Sequence, residues 1–397
     1  MRVLVVGQGP AGMLAADWLS QLGREVVLVS SSEGSLPLWS GCWDFRNYDA
    51  TGMPVADPWA WWAEPSGRPF AQAWGLDQWQ RWWRALIRTW NRLGMDLNER
   101  PPSQNRWILT PSGRVRPAFL CPPWLWTAAL EPAVLVGLDG LLDEPLAWMS
   151  HRFPDRWQHE VEVIRLGRPE AWRRHWTSLA WASFFDREEG EEWLLRALQP
   201  YRGRLAQGRP LVFPEVLGTA IGDGIRPRIA EELKTPVFEY SMMVPAVGGL
   251  RMRDHWRRHL KHAGVQFRHG QVTHILDRGL GVGLEDGERI EAEKVILATG
   301  GILGGGFVLM PDGRMQNSAS GEGVAWPGDL NDLPRWGIGR TTGHGVLVVG
   351  RTVGGSDPDR SGDGGALNLW SVAQALTDIV GEGPIEAWLS APQEAKP

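Results

Sequence analysis

The chain opens on a continuous apolar run, a glycine-rich turn and an amphipathic pattern. Residues 2–6 are an aliphatic run typical of a strand buried on both faces of a parallel sheet. Residues 7–12 carry the pattern G-x-G-x-x-G, residues 13–19 have helical spacing, and residues 26–29 form a second apolar run. This order of strand, turn, helix and strand predicts the first unit of a Rossmann-like fold.

The glycine turn predicts a dinucleotide-binding site. Gly7 permits a tight turn, Gly9 lets a pyrophosphate approach the backbone, and Gly12 lets the helix pack on the strand. With Pro10 and Ala11, these residues place the phosphates at the positive end of the helix. The alternative is a doubly wound sheet of the same kind without a nucleotide.

The end of the second apolar run lacks an expected group. An acidic residue commonly hydrogen-bonds a ribose hydroxyl there, but this chain has Ser30, Ser31 and Ser32, with Glu33 as the nearest carboxylate. A serine hydroxyl binds a ribose more weakly than a carboxylate does. Ser30 and Ser31 are therefore candidates for the adenosine end of a cofactor.

The middle of the chain, from Pro58 to about Tyr201, is rich in Trp, Arg and Pro and has little strand character. Residues 78–90 predict an amphipathic helix, with its apolar stripe formed by Trp79, Trp82, Trp83, Leu86 and Trp90. Such a stripe is typical of a core or an interface, and stacking on a flavin or a sugar is the minority interpretation. The middle is predicted to be a helical cap.

Strand and helix patterns typical of a nucleotide fold return near Val244. A helix is predicted over 251–263, strands over 265–268, 271–275 and 346–350, and a buried strand that ends in A-T-G-G. A last helix opens at Gly362 and runs to Leu376 or beyond, and its glycines would aim backbone N–H groups at a cofactor ring. The further cofactor-binding candidates are Gly41, Val272, Ala298, Thr299, Gly300, Gly350, Gly364, Gly365 and Ala366.

Composition and charge exclude several classes of protein. The 397 residues carry 41 Lys and Arg against 46 Asp and Glu, a net charge of -5, which argues against nucleic-acid binding. Cys42 and Cys121 cannot supply an iron–sulfur cluster or a Cys-rich zinc site, and two cysteines fit a reducing compartment. Without a signal peptide or an apolar run of about 18 residues, a soluble or peripheral protein is expected.

Three histidines share one predicted helix. His255, His259 and His262 have a spacing that can bind a metal, but Arg257, Arg258 and Lys261 surround them and would repel a cation. A solvated basic face is the expectation, with no metal. No histidine or cysteine lies at a position that recommends a covalent link to a cofactor.

The glycine turn, the inserted cap, G-G-L before a helix, A-T-G-G and the glycine-rich helix start together resemble the two-dinucleotide-binding-domain flavoproteins. That class contains the flavoprotein subunits of fumarate reductase and succinate dehydrogenase. A closer resemblance, to the B subunit of anaerobic glycerol-3-phosphate dehydrogenase, is carried by the strings at 39–45, 214–218, 244–251 and 348–358.

The resemblance implies a flavin-dependent oxidoreductase subunit that takes part in oxidation of glycerol 3-phosphate to dihydroxyacetone phosphate. It implies partners, a catalytic flavoprotein and an iron–sulfur subunit that passes electrons to membrane quinone. The cofactor is expected to be FAD, because the pyrophosphate loop is intact, with FMN as the alternative. The expected location is cytoplasmic, or peripheral at the inner face of the plasma membrane. The alternatives are a non-catalytic flavin relay or assembly subunit, and a stand-alone oxidoreductase on another small acid.

The implied domains are a flavin-binding domain in two parts, 1–55 and 241–390, an inserted cap, substrate or interface domain over 56–240, and a tail over 391–397.

Alcohol oxidation also needs a base, and His151, Arg251, Arg340 and His344 are candidates that no spacing distinguishes. Two or three arginines beside the flavin would favour substrate oxidation, whereas a ring buried without a substrate cavity would favour a relay. The aromatic surface of the middle is expected to form an interface with a partner.

Overall fold

The computed structural model describes residues 1–60, 74–128, 131–149, 151, 161–170, 175–205, 208–222, 224–324, 337–342, 345–355 and 357–391. The strands are β1 Arg2–Val6, β2 Glu25–Ser30, β3 Arg106–Leu109, β4 Val115–Ala118, β5 Val134–Leu138, β6 Glu162–Leu166, β7 Leu211–Pro214, β8 Val237–Tyr240, β9 Gln266–His269, β10 Val272–Ile275, β11 Gly281–Leu284, β12 Arg289–Glu291, β13 Lys294–Leu297, β14 Phe307–Leu309, β15 Met315–Asn317, β16 Gly323–Val324 and β17 Leu347–Val348. The helices are Pro10–Gln21, Leu76–Arg92, Leu146–Met149, Ser178–Phe185, Glu188–Leu198, Arg202–Leu205, Ile225–Leu233, Val247–His262, Pro358–Ser361, Gly364–Val380 and Glu382–Ser390.

The central feature is a parallel sheet in the order β17-β13-β1-β2-β9. β1 lies in its middle, and Val3, Leu4 and Val5 have no exposed surface, as a strand covered on both faces requires. Helix 10–21 connects β1 to the parallel neighbour β2. The predicted α/β, Rossmann-like fold class is confirmed.

The middle of the chain contains a second parallel sheet that the sequence analysis did not predict. Its order is β6-β5-β7-β8. Each of these strands has only four or five residues, and the described connections between them contain helices. The expectation of little strand character is therefore wrong, although the described middle has more residues in helices than in strands.

The apolar stripe of helix 76–92 joins the core of the first sheet. Trp79, Trp83 and Trp90 are buried there with no exposed surface, and the indole N–H of Trp18 donates to Thr89 Oγ1 over 2.8 Å. A separate apolar cluster surrounds β5–β8. The stripe is a core feature, which is one of its two predicted roles.

The tryptophans do not form an exposed aromatic surface in the described part of the chain. Every tryptophan whose exposure the structure describes is buried or half-buried. The expectation that exposed aromatic side chains of the middle form an interface with a partner therefore has no support among these residues.

Within the described ranges, no helix combines the length and the apolar character needed to span a bilayer.

Helix 247–262 begins four residues earlier than predicted, and His255 and His259 are half-buried rather than solvated, whereas His262 is exposed. His255 Nε2 accepts the backbone N–H of Ile221 at 3.2 Å, and burial lowers the pKa of His255 to about 4. His259 Nε2 lies 3.8 Å from Oδ1 of the buried Asp17, whose other carboxylate oxygen accepts the indole N–H of Trp256. These contacts hold the helix against its neighbours. In the described residues, no group of three His, Cys, Asp or Glu could hold a metal ion.

Candidate functional site

A cavity of about 720 Å³ opens at the carboxyl ends of the parallel strands. Ligands of open α/β sheets bind at this edge. Thirteen of the predicted cofactor-binding residues line it, namely Gly7, Gly9, Pro10, Ala11, Ser30, Ser31, Val272, Ala298, Thr299, Gly300, Gly350, Gly364 and Gly365. Gly12, Gly41 and Ala366 are not among the lining residues.

The turn after β1 has the geometry that its glycines predict. Gly7 has φ 108°, and a Cβ there would lie 2.3 Å from the carbonyl oxygen of Ala298. A Cβ at Gly12 would lie 1.9 Å from the Gly7 carbonyl oxygen, so Gly12 serves the packing of helix on strand. Gly9 differs, because its Cβ would meet only Ser35 Oγ, at 3.7 Å. The space beside Gly9 is therefore left open to the cavity.

The A-T-G-G segment after β13 forms the part of the wall next to the glycine turn. Ala298 N–H donates to Val6 O over 2.8 Å, which joins this wall to β1. Gly300 has φ 80° and donates its N–H to Thr352 Oγ1 over 2.9 Å. Asn317 Nδ2 donates to Thr299 Oγ1 at the same distance. These bonds fix the position of the wall relative to the sheet.

The start of helix 364–380 closes one end of the cavity. Gly364 and Gly365 line it, and a Cβ at Gly365 would lie 2.5 Å from the Asp44 nitrogen. Ala366 is fully buried and donates its N–H to Asp44 O over 2.9 Å, so it has no donor for a cofactor. Gly41 is off the wall as well, with φ 82° and Pro122 against its α-carbon.

The cavity is also lined by the serines at the end of β2. Ser30 Oγ donates to Ser32 O and Ser31 Oγ donates to Gln271 Oε1, each over 2.6 Å. Both hydroxyl protons are thus used within the protein, and the two oxygens can only accept from a ribose. Glu33 does not replace the missing carboxylate, because it pairs with Arg253 at 2.5 Å.

Three chemically active side chains on the wall were not among the predicted site residues: Cys42, Asp44 and Arg351. Asp44 pairs with Arg116 at 3.1 Å, and burial raises the pKa of its carboxyl against the lowering effect of that guanidinium. Arg116 Nη2 also donates to Ser40 Oγ over 3.2 Å. Cys42 and Asp44 lie within the string 39–45, which indicates the family resemblance but carries no spacing that predicts a chemical role.

None of the candidate bases that the structure describes lies on the wall. Arg251 is fully buried and ion-paired with Glu239, Arg340 pairs with Asp378 over 2.9 Å, and His151 is exposed. His344 lies outside the described residues. No base is assigned.

The strings 214–218 and 244–251 meet in a buried charged cluster away from the cavity. Glu215 Oε1 accepts the indole N–H of Trp124 over 2.9 Å, and burial raises the pKa of Glu215 to about 7. A Cβ at Gly248 would lie 2.0 Å from Glu215 Oε1, which requires glycine there. These strings have a packing role in this chain.

The parallel sheet, the glycine turn and the cavity at the strand ends define an α/β protein of the dinucleotide-binding class. No family model matches the chain. Over 330 residues it is 28% identical to a probable B subunit of anaerobic glycerol-3-phosphate dehydrogenase from Halobacterium salinarum, covering 77% of this chain and 75% of that protein. The B subunit of the same enzyme from Vibrio cholerae is 24% identical over 285 residues, covering 68% of this chain and 65% of that protein. The B subunit from Pectobacterium atrosepticum is 22% identical over 443 aligned positions, covering 96% of this chain and 99% of that protein.

Solved structures to which the chain is similar include a 3-ketosteroid delta1-dehydrogenase from Sterolibacterium denitrificans. The TM-score is 0.31 at 15% identity, and the match covers 75% of this chain and 47% of that protein. A flavin-dependent halogenase from Brevundimonas has a TM-score of 0.30 at 12% identity, and the match covers 97% of this chain and 75% of that protein. The resemblance to the B subunits of anaerobic glycerol-3-phosphate dehydrogenase is confirmed by the relatives. The chain is a dehydrogenase-like oxidoreductase, as the sequence predicts.

Proposed function

We propose that the chain is a flavin-binding redox subunit of a multi-subunit glycerol-3-phosphate dehydrogenase. The observation that supports this most is the single cavity that runs from the glycine turn at 7–11 to the start of helix 364–380. The names of the relatives supply the enzyme and the kind of subunit. The flavin-binding domain would comprise 1–55 and 241–390, with 56–240 as the inserted domain.

The residues on the wall fit a flavin dinucleotide. The open space beside Gly9 suits a pyrophosphate at the amino end of helix 10–21, and Ala298, Thr299 and Gly300 line the cavity beside this turn. The cavity wall also includes Ser30 and Ser31 at the end of β2 and Val272 at the start of β10, where the adenosine half of a dinucleotide would bind. FAD is therefore proposed over FMN. When bound, it supplies a carrier for two electrons.

One observation favours a relay over direct substrate oxidation. Among the described lining residues, Arg351 is the one cation and Asp44 the one carboxylate. A phosphate pocket of two or three arginines is not found in this part of the chain, and Asp44 is already committed to Arg116. This supports the second candidate, a flavin relay that receives electrons from a catalytic flavoprotein partner and passes them to an iron–sulfur partner. The assembly is proposed to lie in the cytoplasm, at the inner face of the plasma membrane.

The cofactor is tested by purifying the chain alone, recording its visible spectrum and identifying the released flavin by mass. We expect a yellow protein with non-covalent FAD. Gly9→Val should abolish flavin uptake in a folded protein, because the side chain would fill the open space beside the helix end. Gly167→Val is the matched control, since a Cβ at Gly167 meets nothing within 4 Å and the residue is off the cavity wall. A colourless chain that takes up neither flavin would refute the proposal.

The two roles are separated by adding glycerol 3-phosphate anaerobically to the flavin-loaded chain. Bleaching of the flavin absorption by the isolated chain would support direct oxidation. If the flavin bleaches only after the catalytic partner is added, the relay is supported.

A further inference from the structure

The two cysteines of the chain are neighbours in space although they lie 79 positions apart. Their Sγ atoms are 3.5 Å apart, and both side chains are buried. Cys42 lines the cavity, while Cys121 lies behind it. One thiol of the pair, that of Cys42, therefore belongs to the wall of the proposed flavin site.

The backbone holds this pair in a geometry that a disulfide can adopt. Trp43 and Leu120 exchange two hydrogen bonds, Trp43 N–H to Leu120 O over 2.8 Å and Leu120 N–H to Trp43 O over 3.1 Å. In an antiparallel bridge of this kind, the adjacent opposed pair is Cys42 and Cys121. Such non-hydrogen-bonded pairs have Cα atoms about 4.5 Å apart, within the range that disulfides span. Closing the bond requires the two Sγ atoms to approach from 3.5 Å to about 2.05 Å.

The two thiols differ in their position relative to the cavity, which Cys42 lines and Cys121 does not. The hydrogen bond with Cys42 and burial raise the pKa of Cys121, so that this thiol stays protonated. The guanidinium of Arg116 interacts electrostatically with both sulfur atoms. Cys42, on the cavity side, is the thiol in position to exchange electrons with a ligand of the cavity.

We propose that Cys42 and Cys121 form a redox-active dithiol–disulfide pair that exchanges two electrons with the flavin bound in this cavity. On oxidation, two S–H bonds break, one S–S bond forms, and the two electrons and two protons pass to oxidised flavin. The reverse step returns them from reduced flavin to the disulfide. The inference rests on the proposed function for its flavin, whereas its thiol chemistry is independent of it.

The thiol chemistry is tested on the full chain without flavin. Diamide takes two hydrogen atoms from a close thiol pair, so the oxidised wild type should be lighter by two hydrogen atoms in its intact mass. After denaturation it should take up no iodoacetamide, whereas the reduced protein takes up two. Cys42→Ser and Cys121→Ser are matched controls, and each should still take up one after the same treatment. A wild type that keeps both alkylatable thiols would overturn the proposal.

The coupling is tested by anaerobic dithionite titration of the flavin-loaded chain after oxidation of the pair. Full reduction should consume four electrons per flavin in the wild type and two in either serine variant, because the disulfide is a two-electron couple. Two electrons in the wild type, with the disulfide left intact, would overturn the coupling. A chain that forms the disulfide but takes up no flavin would overturn the proposed function and, with it, the coupling, while the first measurement still reports on the thiols.

Discussion

The guanidinium of Arg251 donates two hydrogen bonds to the carboxylate of Glu239, over 2.6 and 2.9 Å. Both side chains have no exposed surface, and Arg251 Nε also donates to Gly218 O over 2.7 Å. The pair joins helix 247–262 to β8. Arg251 is one of the candidate bases for alcohol oxidation. Its burial in this ion pair gives it a structural role instead, that of holding helix 247–262 against β8.

Arg251→Met should destabilise the protein by about 3–5 kcal/mol, because the buried Glu239 would keep the Leu217 N–H as a donor but only the more distant Arg226, at 3.6 Å, as a counter-charge among the described residues. Adding Glu239→Gln should recover part of this loss, since the buried charge is then removed. Urea denaturation measures both values. The control is Arg196→Met, which breaks an exposed pair with Glu192 and should cost less than about 1 kcal/mol. Equal losses for Arg251→Met and Arg196→Met would contradict the argument.

Glu215→Gln should stabilise the protein at neutral and higher pH but not in acid. Burial raises the pKa of Glu215 from 4.5 to about 7 in the folded state. The stability that its protonated form contributes is complete below pH 4.5 and is lost as the pH rises through about 7. The difference between variant and wild type should therefore grow between these values, to about 3 kcal/mol.

The pH profile of the wild type alone does not isolate this effect. His255 has a pKa lowered from 6.5 to about 4, so its contribution is present above pH 6.5 and is lost as the pH falls through 4. That trend opposes the one from Glu215. Denaturation of both proteins at a series of pH values, taken as a difference, removes the contribution of His255. A difference that does not change with pH would refute the assignment to Glu215.

The glycine turn was predictable because every requirement for it is local. Gly7, Gly9 and Gly12 lie within six residues, between two apolar runs, and the structure places a turn with open space at Gly9. The sheet of β5–β8 was missed because its central strands β5 and β7 are runs of only four or five residues that are buried throughout and carry no alternation. The pair Cys42–Cys121 could not be predicted at all, since its two members come from segments 79 positions apart.

The adenosine end of the cavity predicts a way to separate FAD from FMN. Ser30→Glu would place a carboxylate at the end of β2, where it can accept from a ribose hydroxyl more strongly than the serine does. We expect the affinity for FAD to rise about tenfold, since bonds to charged groups contribute about 1.5–3 kcal/mol, while the affinity for FMN stays unchanged. Fluorescence titration of the flavin-free protein measures both. Ser30→Gln is the uncharged control, and parallel changes for the two flavins would argue against an adenosine site here.

Helix 76–92 should influence the cavity although it does not line it. Trp83 is fully buried, with its ring centroid 5.5 Å from that of Phe45 and 4.7 Å from that of Phe119. Phe45 continues the segment that carries Cys42 and Asp44 on the wall. Support for this segment therefore comes from the aromatic core beneath it.

Trp83→Ala should cost about 3–5 kcal/mol in the free energy of unfolding, as truncation of a buried tryptophan does. It should also weaken flavin binding, because the wall segment loses the ring on which Phe45 packs. Leu76→Ala, at a position 42% exposed at the start of the same helix, is the control and should change neither quantity appreciably. Thermal denaturation with and without added FAD measures both effects. If Trp83→Ala lowers the melting temperature of the flavin-free protein but FAD raises it by as much as in the wild type, then helix 76–92 stabilises the fold without shaping the site.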